Sequence, residues 1–125
     1  YHTPTTRFVA EFLGLADFIP AMFGDGKLET ILGSITWNQE PPPSGSEVLV
    51  RPDDMTFEPS EAGQGHIVSR IFQGPSYLYE VDLAAGGVVH VLQHHTKQYD
   101  VGTRVQVRII AEHRLACFLG ERRVG

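Results

Sequence analysis

Three imidazoles and a carboxylate lie close together late in the chain, at His90, His94, His95 and Asp100. Such groups are a common metal-ligand set, and a real site needs three or four of them to converge. His90 and His94 are an even number of residues apart, so on a strand they would share one face. Their spacing is neither helical nor finger-like. The expectation is polar side chains beside a turn, with no metal. Arg51 has the fork to hold an anion, but a neighbouring carboxylate is its expected partner. Trp37, next to Asn38, suits either an interface or a core. Arg51, Trp37, His90 and His94 are therefore the candidate ligand or interface residues, and no catalytic, cofactor-binding or metal residue is assigned.

Other chemistry is weaker still. Cys117 is the single cysteine and alternates with Leu115 and Leu119, as a small buried hydrophobe would. Alone it forms no internal disulfide, and a reducing compartment is expected. No order of Ser, His and Asp suggests a triad. Phe72, Tyr77 and Tyr79 could stack bases on a barrel face, but packing is the expected use of these rings. The net charge of -5 opposes phosphate binding, so no nucleic-acid partner is expected. The string Gly24-Asp25-Gly26-Lys27 is the nearest approach to a phosphate-binding loop. It fails the G-x-x-x-x-G-K-[ST] spacing and is followed by Leu28, so it reads as a turn.

The elements that would position these residues are short strands. The chain has 125 residues, enough for one or two small domains. No apolar run approaches the roughly 20 residues of a membrane-spanning helix. No basic segment followed by an apolar one marks a signal peptide at the start. The first residue is Tyr, which is expected of a processed or excised chain. The clearest pattern runs from Gly65 to Leu92. Tyr77, Tyr79, Val81 and Leu83 alternate with Leu78, Glu80 and Asp82, the period of a strand with one buried face. Gly74-Pro75 and Gly86-Gly87 close the turns on either side of it, giving a three-strand meander. Thr103–Ile110 alternates in the same way, with Val105, Val107 and Ile109 inward.

Further strands are expected at Asp17–Phe23, Lys27–Ile31, Ser34–Trp37, Glu47–Arg51, Met55–Glu58 and Leu115–Leu119. Pro20 suggests an edge or a bulge in the first of these. The Pro-rich run Glu40–Ser46 is a loop and the best internal boundary. The tail Gly120–Gly125 is expected to fray. Thr3–Gly14 reads as one helix, with Thr3 as cap, Pro4 in its first turn and Gly14 at its stop. Phe8, Val9, Phe12 and Leu13 form its apolar face. About three turns cannot stand alone, so this helix must pack on something. The fold class is all-β: a small OB-like barrel of short antiparallel strands with one short N-terminal helix.

Three places resemble a known family. They are Pro4 through Gly14 (PTTRFVAEFLG), Val48 through Asp54 (VLVRPDD), and the meander Gly65 to Leu83 with Gly86-Gly87 and Val101-Gly102-Thr103-Arg104-Val105. In order and spacing they resemble the C-terminal regulatory, or TOBE, region of ATP-binding subunits of ABC importers. Asp53 departs from the family's usual Glu at that position, which is expected to alter a turn or a hydrogen bond and not the fold. The resemblance implies that residues 1–14 link to a missing nucleotide-binding domain and residues 15–125 form the regulatory barrel. It implies a non-catalytic domain that pairs the ATPase subunits, with ATP and Mg held in the missing domain. The implied partners are a second copy of the subunit, that nucleotide-binding domain and the membrane permeases. The implied location is cytoplasmic, at the inner face of the membrane, and the implied cargo is a sugar, ferric iron, sulfate or polyamine. Two other readings stand beside it: a sensor of a small oxyanion, metal or solute, and a barrel binding single-stranded nucleic acid.

Overall fold

The computed structural model describes residues 16–111 and 115–125. The expected helix at Thr3–Gly14 lies outside them. The regular structure of the described chain is nearly all strand, in short antiparallel pieces with one 3₁₀ turn, consistent with an OB-like all-β fold. It divides into two compact units. Among the described residues, the first combines those up to Val50 with those from Leu115 onward, and the second is continuous from Arg51 to Ala111.

In the first unit, β1 (Asp17–Pro20), β5 (Glu47–Val50), β11 (Cys117–Leu119) and β12 (Arg122–Arg123) form one sheet in the order β1-β5-β11-β12. A second sheet has the order β2-β3-β4, from β2 (Met22–Gly24), β3 (Lys27–Thr30) and β4 (Gly33–Thr36). The single strand expected over Asp17–Phe23 is thus two. Ala21 between them turns its N–H to the Ser46 carbonyl, at 3.1 Å, and each half joins a different sheet. Gly24-Asp25-Gly26-Lys27 is the β2–β3 hairpin, with Asp25 and Gly26 both at positive φ (52° and 72°), the combination a type I′ turn demands.

Strand β5 is central, flanked by β1 and β11, and Val48, Leu49 and Val50 are all buried. Period-two reasoning assigns Val48 and Val50 to one face, but a strand covered on both faces loses that alternation. Leu49 packs with Ala116 and Phe118, beside Ala16 and Phe18, and the two phenylalanine rings meet edge to face at 5.5 Å. The C-terminal tail is pinned. Cys117 N donates to Gly125 O, Val124 N donates to Cys117 O, and Arg123 Nε also reaches Gly125 O. The fraying expected for Gly120–Gly125 is thus replaced by a short strand, because β11 has a free edge for it to pair with. The loop Glu40–Ser46 is present but is not the unit boundary. That boundary falls at Val50, since the pairing of β5 with β1 holds Glu47–Val50 in the first unit.

The second unit is one sheet of five strands in the order β6-β10-β7-β8-β9. They are β6 (Met55–Pro59), β7 (Gly65–Phe72), β8 (Ser76–Leu83), β9 (Val88–His94) and β10 (Arg104–Ile109). The expected meander is β7-β8-β9. Along β8, Tyr79, Val81 and Leu83 are buried and their neighbours are not, and Val89, Val91, Val105 and Val107 fill the same interior. Val68 is the extra residue of a bulge where the β7–β8 register shifts between Ile67 and Ser69. The two outer strands are tied by a side chain: Gln93 Nε2 donates to Thr56 Oγ1 (3.2 Å) and to Phe57 O (3.1 Å). A second side chain completes the ladder of β10, which pairs with β7 only at Arg104 and Val105. Beyond that point Gln64 takes over. Its Nε2 donates to Val107 O (2.8 Å), and its Oε1 accepts from Val107 N (2.9 Å).

Candidate functional site

Each sequence candidate has a local partner. His90 sits on β9 directly opposite Glu80 on β8, which is opposite Ser69 on β7. Ser69 Oγ donates to Glu80 Oε1 at 2.6 Å, and His90 Nε2 stands 3.4 Å from Glu80 Oε2. The Ser69 hydroxyl holds the Glu80 carboxyl below the usual range; burial opposes it, and the charge and hydrogen bond of His90 add smaller lowering effects. His94 ends the same strand and is exposed. Its Nδ1 accepts from Thr96 N at 3.3 Å and lies 3.0 Å from Thr96 Oγ1. The His94 and His95 rings lie 4.4 Å apart. Asp100 is turned to Arg70, with Oδ1 at 3.6 Å from Nη1. Among the described residues, no three His, Cys, Asp or Glu side chains converge as a metal cluster.

Arg51 is buried and precedes a single 3₁₀ turn, Pro52–Asp54. Its N–H donates to Asp54 Oδ2 (3.0 Å), while its carbonyl accepts from Asp54 N (2.9 Å). The carboxylate that caps this turn is Asp54. Asp53, where the sequence departs from the family pattern, is exposed. Trp37 is buried in the first unit, and its Nε1–H donates to Glu40 O at 3.0 Å. Cys117 is buried, and burial pushes its thiol up to about 11. Tyr79 is fully buried, with its hydroxyl accepting from Tyr99 N, and its ring packs edge to face on Phe57. Tyr77 lies against Phe72 and under the Arg70 guanidinium. Packing thus accounts for Tyr79, and Phe72 is the exposed ring of the set.

The feature that sequence reasoning missed is a cleft in the first unit. It has a volume of about 630 Å³ and lies between β1–β2, the end of β3 and the Ser44–Glu47 stretch. Pro20, Ala21, Met22 and Ile31 supply apolar walls, and Glu29 and Glu47 are its acidic residues. Met22 is 78% exposed. The backbone around the cleft is fixed. Ser46 donates from both N and Oγ to Pro43 O, and Ser46 O holds Ala21 N. Residues from three separate stretches build it, so no local motif announces it.

Comparison with known proteins brings a match to the TOBE domain model over residues 48–116. That covers more than half of the chain. The chain belongs to the TOBE family. The TOBE match takes in all of the second unit and most of β5, while β1 to β4 and the cleft lie outside it. A curated relative is the "Fe(3+) ions import ATP-binding protein FbpC 1" of Rhizobium meliloti (strain 1021), 34% identical over 94 residues. The aligned stretch is 69% of this TOBE-containing chain and 27% of that relative.

Proposed function

We propose that this chain is the non-catalytic regulatory and dimerisation region of the ATP-binding subunit of an ABC importer. The observation that carries the reading is the TOBE match over β5 to β10, supported by the likeness to an Fe(3+) import ATP-binding protein. A ferric-iron system is the favoured parent among the sugar, iron, sulfate and polyamine types. ATP and Mg belong to a nucleotide-binding domain outside this chain. Here the nearest phosphate-loop string is a hairpin turn between two strands. It lacks the run of backbone N–H groups at a helix start that cradles phosphate. The chain's part is mechanical: it offers a self-complementary face to its copy. The parent works at the cytoplasmic face of the membrane, beside its permeases.

The test is made on the intact subunit. The reading frame upstream of Tyr1 is expected to encode a nucleotide-binding domain with its phosphate loop; a frame lacking one overturns the reading. Sedimentation equilibrium of the subunit with and without the region 16–125 then separates the roles. Weaker self-association with ATP binding retained is the expected result. Unchanged association removes the dimerisation role.

A further inference from the structure

The cleft of the first unit is large enough for a ligand, fixed in its backbone and one-signed in charge. Its volume of about 630 Å³ falls among small-molecule sites, which typically span roughly 300–1,000 Å³. Its walls are apolar at Pro20, Ala21, Met22 and Ile31, and its polar groups include the Glu29 and Glu47 carboxylates. Among the described residues, no Lys, Arg or His lines it. The nearest described cations lie outside the lining: Lys27 two residues from Glu29 along β3, and Arg123 two strands from Glu47 in the same cross-strand row. Glu29 Oε2 accepts from Ser34 Oγ at 2.6 Å, which orients the carboxylate while leaving its charge in place.

We propose that this cleft binds an organic cation: an ammonium or guanidinium group carried on an apolar body. The apolar body packs on Pro20, Ala21 and Ile31, and the cation sits toward Glu29. Met22 is an unbranched side chain, suited to closing over guests of irregular shape. Among the described lining residues an anion meets two carboxylates and no cation. The ligand class is thus the opposite of an oxyanion. The inference concerns residues outside the TOBE match, so it stands or falls apart from the importer reading.

The experiment is an amide NMR titration of the full chain with three probes of one shape: phenethylammonium, 2-phenylethanol and 3-phenylpropionate. Saturable shifts at Met22, Glu29, Ile31 and Gly45 are expected, strongest for the ammonium and weakest for the carboxylate. An exposed carboxylate is expected to favour the ammonium over the alcohol by about twofold to fivefold. Glu29→Gln, at an exposed site, is expected to bring ammonium and alcohol together while leaving the fold intact. Equal binding of all three probes, shifts centred away from the cleft, or no saturation with the ammonium overturns the proposal.

Discussion

Gln64 stands in for a strand that is not there, and replacing it with Leu tests how much of the five-stranded sheet depends on it. Its side-chain amide donates to and accepts from the same residue, Val107, as a neighbouring strand would. Val107 is 1% exposed and its other side faces β6, so no water replaces the lost amide easily. Leu has a similar volume and no polar atoms, so Gln64→Leu leaves one N–H and one C=O without partners. A buried unpaired group costs about 1–3 kcal/mol, and this site is half-buried, so the pair is expected to cost about 2–4 kcal/mol. For a chain of this size that is a fall in Tm of roughly 10 °C. Urea denaturation followed by far-UV circular dichroism reads it directly, with an unchanged m-value. Gln64→Glu adds a sign. Its carboxylate would accept from Val107 N but face Val107 O, which disfavours the charged form and raises the folded-state pKa. That variant is therefore expected to lose stability as pH rises from the ordinary carboxylate range. A Gln64→Leu protein within about 0.5 kcal/mol of the parent, the spread of neutral surface changes, refutes the reasoning.

Three further outcomes follow from other residues. A Cβ on Gly63 would clash with Val105 O, a backbone atom that cannot rotate away, so Gly63→Ala is expected to cost about 1–3 kcal/mol or more by thermal denaturation. Cys117 is expected to resist a thiol reagent at neutral pH and to react fully in denaturant. Its folded-state pKa lies above the unfolded value, so its contribution to stability is present at neutral pH and is lost as pH rises through about 11. Ser69→Ala is expected to raise the Glu80 pKa toward the ordinary carboxylate value, read from its side-chain carboxyl NMR shift. Because the folded-state pKa of Glu80 is depressed, any stability it adds is present above the unfolded value and fades as pH falls through the folded one. An unmoved Glu80 titration would show that the 2.6 Å bond does not set it.

The meander was legible because β8 has one wet and one dry face, and its alternation survives in the sequence. The Asp25-Gly26 turn was legible because positive φ narrows the residue choice. What escaped depends on pairing partners distant along the chain. Val48-Leu49-Val50 carries no sign that both faces will be covered, since that coverage comes from neighbours far away in sequence. The tail looks polar and loose until the free edge of β11 is in view. Gln64 reads as a loop residue, since nothing local says its amide will complete a ladder. Of the candidate residues, His90 was placed on the right strand, but its engagement with Glu80 depends on the β8–β9 register. The cleft has no signature at all, because Pro20, Ile31 and Ser46 become neighbours only when two sheets are in place.

The first unit is discontinuous: Cys117 pairs with Val48, and everything from Arg51 to Ala111 is spent elsewhere before that pairing can form. During synthesis the continuous unit can therefore complete itself while the other still waits for its closing strands. The partner edge of β5 stays bare until Cys117–Leu119 has been made. A stalled or clipped chain would show that edge to its neighbours, and aggregation of nascent or truncated material is where the order of assembly would leave its mark.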